Sequence, residues 1–187
     1  MLKGYWINGI IGGVGYEKSS NYIYSGCFIY DKKNGYGTQI WRDKAKYEGE
    51  WKDNHFNGYG IYYFPDGKKY IGEWENSCKN GFGEFYLIDG RKYVGYYKND
   101  KKEGFGIYYL NENNFSINFW KNGKKHGFGK SIKGNIVNYQ KWENNTLIEK
   151  DIDEIQFLER FDDTIINYQY MFKLNSKEIL KFMDIKE

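Results

Sequence analysis

Aromatic and glycine positions along the 187-residue chain fall on one repeating line. Written from its first aromatic, a unit reads aromatic-x-Gly-x-aromatic, then a polar gap, then Gly-aromatic-Gly, as in Tyr47-Glu48-Gly49-Glu50-Trp51 followed by Gly58-Tyr59-Gly60. The line recurs as Tyr24-x-Gly26-x-Phe28 with Gly35-Tyr36-Gly37, as Tyr70-x-Gly72-x-Trp74 with Gly81-Phe82-Gly83, and as Tyr93-x-Gly95-x-Tyr97 with Gly104-Phe105-Gly106, at a period of 23 residues. Ser116-x-Asn118-x-Trp120 with Gly127-Phe128-Gly129 keeps the register, and Leu2-x-Gly4-x-Trp6 with Gly13-Val14-Gly15 is one residue short. Six units therefore start at 2, 24, 47, 70, 93 and 116; a further start at Tyr139 with Trp142 has lost its glycines and reads as a terminal cap strand. A fixed period of this size is the mark of a repeat architecture, in which each unit packs only on its neighbours.

Within a unit, two short aromatic-rich runs are bridged by polar residues such as Lys52-Asp53-Asn54 or Asn122-Gly123, which predicts a β-hairpin. Units are joined by turn residues, Pro65-Asp66-Gly67 and Asp89-Gly90. With an even-numbered hairpin loop, strand alternation puts Tyr47, Gly49, Trp51, Gly58, Gly60 and Tyr62 on one face. The glycines are expected where a Trp ring lies flat across the opposing strand. The predicted fold is mainly β: an elongated, single-layer antiparallel sheet of six tandem hairpins over 1–148, with a ladder of rings along one face.

From Asp151 the text changes. Glycine disappears, and Ile152, Ile155, Leu158, Phe161, Ile165, Tyr168 and Phe172 recur at three- and four-residue spacing, the helical period. Asp162-Asp163-Thr164 are N-cap types that break the segment, and Asn175-Ser176-Lys177-Glu178 resembles a capping box opening a further helix through Ile185. Phe157, Ile166, Met171 and Met183 widen the apolar stripe, so the segment 149–187 wants burial. It is expected to form a helical cap, with a helix over about 151–172 that buries Ile152, Ile155 and Leu158 and shields an edge strand. The competing reading is a helix offered to a partner, or to a second copy as a homodimer.

Composition narrows the classes. Tyr, Phe and Trp number 20, 13 and 6, and Ala45 is the lone alanine, which excludes a helical bundle. Of the 23 glycines, 17 lie on the repeat grid and are packing residues rather than linkers. No run approaches the ~20 apolar residues of a membrane span, and the start, Met1-Leu2-Lys3-Gly4, shows no secretory signal, so a cytoplasmic location is expected. Cys27 and Cys78 read as reduced thiols without metal-ligand spacing. Through Ile148 the chain holds 22 basic and 15 acidic residues, and beyond it 6 and 10, so the two parts carry opposite net charge.

No reaction chemistry stands out. The Gly-x-Gly elements neither open a helix nor supply the Lys-Ser/Thr of a phosphate loop. His55 and His126 sit in polar hairpin regions without an oriented partner, and Glu48, Glu50, Glu73 and Glu75 read as solvated strand faces. The chain is expected to be no enzyme and to need no cofactor or metal. Nucleic acid is disfavoured, since arginine occurs only as Arg42, Arg91 and Arg160. An anionic membrane surface has support in the lysine pairs Lys32-Lys33, Lys68-Lys69, Lys101-Lys102 and Lys124-Lys125; against it, these pairs fall in two loop classes and also serve solubility.

The stretch Tyr47 to Gly60 resembles the MORN repeat (membrane occupation and recognition nexus) nearly in full, and Lys124-Lys125-His126-Gly127-Phe128-Gly129 resembles its second half. The resemblance covers roughly 2–148. Repeats followed by Lys141-Trp142-Glu143-Asn144-Asn145 and a charged, helix-prone tail are also similar in order to the small retinophilin-type MORN proteins. Departures are Asn118 for glycine, Phe28 and Tyr97 for tryptophan, and Leu2 and Ser116 for the opening aromatic. The resemblance implies a curved sheet with a groove, used for scaffolding in cytoskeletal structures, ciliary axonemes and apicomplexan division rings, and a proposed phospholipid role. Larger relatives fuse such repeats to a methyltransferase or phosphoinositide kinase domain, for which the ~40 residues of the tail are too few. The expected activity is capture of an extended or helical protein segment by the ladder rings Trp51, Tyr62, Trp74, Phe85, Tyr97 and Tyr108. The alternative is binding of anionic phospholipid through the eight paired lysines.

Overall fold

The computed structural model describes residues 1–7, 9–157 and 160, with backbone alone at Leu2 and at 5–7. Among the described residues fourteen strands form seven hairpins. They are β1 (Leu2–Ile7) with β2 (Ile10–Lys18), β3 (Tyr22–Ile29) with β4 (Lys32–Trp41), β5 (Lys46–Lys52) with β6 (His55–Tyr63), and β7 (Lys69–Glu75) with β8 (Cys78–Tyr86). Then follow β9 (Lys92–Lys98) with β10 (Lys101–Asn111), β11 (Asn114–Lys121) with β12 (Lys124–Lys133), and β13 (Ile136–Glu143) with β14 (Thr146–Lys150). All belong to one antiparallel sheet in chain order, each strand hydrogen-bonded only to its sequence neighbours. The start at Tyr139 is thus a strand of a complete hairpin, and β14 runs two residues past the expected boundary at 148.

Two-residue turns close the hairpins from β3 onward, with both residues at positive φ, as in Asp53 (49°) and Asn54 (71°) or Asn99 (47°) and Asp100 (65°). This geometry matches the right-handed strand twist and selects Asn, Asp and Gly. The second turn residue also clamps the previous hairpin. Asn54 donates its N–H to the Lys33 carbonyl (3.0 Å) and accepts the Lys33 N–H on its side-chain oxygen (2.8 Å). Asp31 with Ile11, Ser77 with Phe56, Asp100 with Lys79 and Asn145 with Lys125 do the same. Gly123 supplies only the backbone half, to Lys102.

Inside the hairpins the register jumps after the Gly–Gly pair: Gly49 faces Gly60, and the next pair is Trp51 with Phe56, so Glu50 stands against three residues. The bulge contains a glycine at positive φ, Gly58 at 62° and Gly81 at 96°. Glu50 and Glu73 turn their carboxylates onto these bulges and accept the N–H of Tyr59 (3.0 Å) and Phe82 (2.9 Å). Their place is therefore structural as well as solvated.

The paired glycines serve tyrosine, not tryptophan as the sequence suggests. Tyr24, Tyr47, Tyr70 and Tyr93 are at most 1% exposed. Each lies over the glycine pair of its own hairpin, and a Cβ at Gly60 or Gly83 would sit 2.6 Å from the ring Cζ of Tyr47 or Tyr70. The Trp rings cross onto the preceding hairpin instead, where Trp51 Nε1 donates to the Gly37 carbonyl (3.1 Å) and Trp74 Nε1 to that of Gly60 (3.2 Å). Each such ring stands edge-on to tyrosines on both sides: Trp51 lies 5.2 Å from Tyr24 and 5.3 Å from Tyr47, Trp74 5.7 Å from Tyr47 and 5.0 Å from Tyr70. Tyr97 and Trp120 continue the chain of near-perpendicular rings, each contact adding ~0.5–1.5 kcal/mol beyond area burial. Gly83→Ala is expected to cost ~1–3 kcal/mol by overpacking; adding Tyr70→Phe should not restore the melting temperature, because a ring carbon, Cε2, is also 2.6 Å from the new methyl.

At both ends the ring device changes. In the first unit Ile11, fully buried, fills the space over Gly4 and Gly15. In the sixth, Asn118 donates to Ser116 Oγ (2.9 Å) beside Gly129.

Among the described residues, the segment after β14 packs on the face of the sheet opposite the ring ladder. A helical turn at 154–157 starts at Asp153, whose Oδ1 accepts the Ile155 and Gln156 N–H groups. Ile152 and Phe157 (3% exposed) join Phe105, Phe119 and Phe128 in a second core, flanked by Tyr139. Ile155 is 68% exposed, so the expected trio is corrected: Phe157 takes the buried place given to Ile155. Leu158, the rest of the expected helix to 172, the breaks at 162–164 and 175–178, and the helices of a homodimer lie outside the described residues.

Candidate partner-binding face

Strand alternation sends the ring ladder to one face, and a second layer of partly exposed rings covers it: Tyr22, Trp41, Phe56, Tyr62, Phe64, Phe85 and Tyr108. Phe56 stacks on Tyr47 with centroids 3.8 Å apart, and Tyr62 meets Phe64 at 4.7 Å. The six expected contact rings divide accordingly. Trp51, Trp74 and Tyr97 are 4%, 7% and 6% exposed and belong to the core. Tyr62, Phe85 and Tyr108 are partly buried and form the outer layer of this face.

The eight paired lysines do not share one surface. Lys33, Lys102 and Lys125 occupy the second position of their strands, opposite Phe28, Tyr97 and Trp120, and turn onto the ring face. Lys32, Lys101 and Lys124 are exposed. Lys68 pairs with Asp66 at 2.6 Å in the turn between hairpins, and Lys69 lies over the Tyr86 ring at 4.6 Å. The same second position is held by Phe56 and by Lys79, which sequence reading passed over; their signal is a period of 23 at 33, 56, 79, 102 and 125.

These lysines place ammonium groups against rings. Lys33 Nζ stands 4.0 Å from the Tyr22 centroid and Lys102 Nζ 4.2 and 4.3 Å from those of Tyr93 and Trp120. Lys79 reaches Tyr70, Phe85 and Tyr97 at 5.8 Å, and Lys125 reaches Trp142 at 4.4 Å. Burial lowers the pKa of Lys33, against the opposing pull of Glu17. Burial lowers that of Lys102 to about 8, with the Lys125 charge adding to it, and burial also lowers Lys125. The ladder tyrosines shift upward, since burial disfavours the phenolate.

Among the described residues no group of three or more His, Cys, Asp or Glu could hold a metal ion. His55 is exposed, with Nδ1 3.4 Å from Ser77 Oγ. No described helix is long and apolar enough to cross a membrane.

Five segments, 24–46, 47–69, 70–90, 93–114 and 119–135, match the MORN repeat model and together span more than half of the chain. The chain belongs to the MORN-repeat family. No curated protein matches it. MORN repeats are non-catalytic modules of protein or membrane-lipid interaction. In this MORN array the first four matched segments open on β3, β5, β7 and β9, and the hairpins at either end extend the same sheet outside the matched segments.

Proposed function

We propose that this MORN array is a non-enzymatic scaffold or adaptor that captures a segment of another protein on its ring face, within a cytoskeletal or ciliary assembly. The observation that carries the reading is the outer layer of partly buried rings, Tyr62, Phe85 and Tyr108 among them, held over a buried ring ladder. A rigid platform with amphipathic rings at its surface offers contact area at small entropic cost. The test is selection of displayed helical and extended peptides on the immobilised full chain. Wild-type protein enriches a peptide set, and the Tyr62→Ser/Phe85→Ser/Tyr108→Ser variant loses it while keeping its strand circular dichroism; absence of any enrichment sinks the reading.

A second reading, binding of anionic phospholipid, is favoured by the exposure of Lys32, Lys101 and Lys124. It requires that sedimentation with phosphatidylserine vesicles fall steeply as ionic strength rises from about 0.05 to 0.5 M, where screening shortens from beyond 10 Å to a few Å. Binding no greater than to phosphatidylcholine vesicles excludes it.

A further inference from the structure

The ring face is polarised in charge along the array, because the acidic partners that Lys33 and Lys79 have are missing at Lys102 and Lys125. At Lys33 the ammonium meets Glu17 at 3.4 Å and donates to the side-chain Oε1 of Gln39. At the next unit the position is Phe56, without charge. At Lys79 the clamping turn residue is Asp100, whose carboxylate both accepts the Lys79 backbone N–H and stands 3.4 Å from Nζ. One repeat on, the clamping residue of Lys102 is Gly123, which has no side chain, and that of Lys125 is Asn145, which has no charge. Among the described residues no carboxylate forms an ion pair with Lys102 or Lys125. The Glu103 carboxylate is engaged by the Asn122 N–H.

Other donors accumulate at the same end. Trp51 and Trp74 give their indole N–H to carbonyls of the preceding hairpin, but the indole nitrogens of Trp120 and Trp142, the rings under Lys102 and Lys125, are buried without a partner. This stretch is rich in donors and positive charge and poor in acceptors. Two half-buried ammonium groups one hairpin apart, neither with an acidic partner, are stabilised by carboxylates that approach them.

We infer that the C-terminal half of the ring face is the docking site of an acidic helix from a partner protein, with carboxylates seven residues apart on Lys102 and Lys125. The inference rests on the scaffold reading above and names its partner's chemistry. Neighbouring strands lie about 4.8 Å apart, so equivalent positions in successive hairpins are separated by ~9.5 Å. Seven residues of α-helix rise ~10.5 Å and return to the same side. An extended chain covers the distance in three residues, but the third side chain points away. Tyr108, which Lys102 Nζ approaches to 5.2 Å, and Phe85, one hairpin before it on β8, then receive apolar residues of the same helix beyond the acid on Lys102.

The experiment uses the full chain and a displayed library of 21-residue helical peptides. Wild-type protein selects peptides with Asp or Glu pairs at i and i+7, and their synthetic versions bind at least about tenfold more weakly to Lys102→Gln/Lys125→Gln. Gly123→Asp keeps both lysines. Asp100 occupies the equivalent place at a similar positive φ, so the variant supplies the carboxylate and the missing half of the clamp, and it should weaken the acidic peptides severalfold without lowering the melting temperature. Selected peptides without acid enrichment, acids at another spacing, or equal binding to both variants overturn the inference while leaving the scaffold reading in place. No selected peptide at all fails the scaffold reading itself. If the lysine variants lose phosphatidylserine vesicles but not peptides, the site serves a membrane and the inference is wrong.

Discussion

Raising the pH beyond about 10 unfolds the array abruptly, within roughly two pH units. Tyr24, Tyr47, Tyr70, Tyr93 and Tyr97 are buried in the ladder, and burial moves each phenol upward from its ordinary value of 10.0. Below 10 both folded and unfolded chains keep these groups neutral and the ladder's stability is complete. Above it the unfolded chain releases protons that the folded chain retains, so stability falls as pH rises toward the folded values. Each group costs up to ~1.4 kcal/mol per unit, and five of them ~7 kcal/mol per unit, against a typical total of 5–15 kcal/mol. Lys102 acts in the opposite sense: with its folded value lowered to about 8, it adds stability as pH climbs from there toward its ordinary value. Lys33 and Lys125, also lowered by burial, act with it, but all three stop adding stability at the ordinary lysine value of 10.5, above which the five tyrosines still lose it. Tyrosinate absorbance and strand circular dichroism, followed together, should change in one cooperative step; gradual ionisation with the sheet intact contradicts the prediction.

Trp74→Ala lowers stability by ~3–5 kcal/mol, the cost of emptying a large aromatic site in a core. Its ring touches Tyr47, Phe56, Tyr62 and Tyr70 and holds the Gly60 carbonyl through Nε1. At ~2–4 °C per kcal/mol the melting temperature falls by about 10 °C. Tyr62→Ala, at the surface, should cost clearly less and act on peptide capture instead. Equal melting temperatures for the two variants would show that the ladder and its outer layer are energetically the same.

The period announced the ring ladder and six of the seven hairpins because glycine and aromatic spacing are local and repeated; the seventh, at Tyr139, has lost the glycines that mark the others. Which ring the glycines serve was hidden, because Tyr47 and Trp51 share a strand face and only the bulge at Gly58 sends one over its own hairpin and the other onto its neighbour. The division of Trp51 from Tyr62 was hidden for the same reason, since periodicity assigns a face and not a depth within it. Lys33, Lys102 and Lys125 were visible as members of pairs, but alternation splits each pair between faces. In the tail, three-residue spacing marked Ile155, whereas the start at Asp153 rotates Phe157 to the sheet.

Because every strand bonds only to its chain neighbours, each hairpin has its complete set of partners on one side as soon as the preceding one has formed. The sheet can be laid down in the order of synthesis, without waiting for a distant segment to return. The same connectivity makes length editable. Joining Lys46 to Tyr70 would set Gly72 opposite Gly37 and Tyr70 opposite Gln39, reproducing the pairs that Gly49 and Tyr47 make now. The molecule is in this sense a ruler, shortened or extended by one hairpin, about 9.5 Å at a time, while the chemistry of each graduation is set by its own turn.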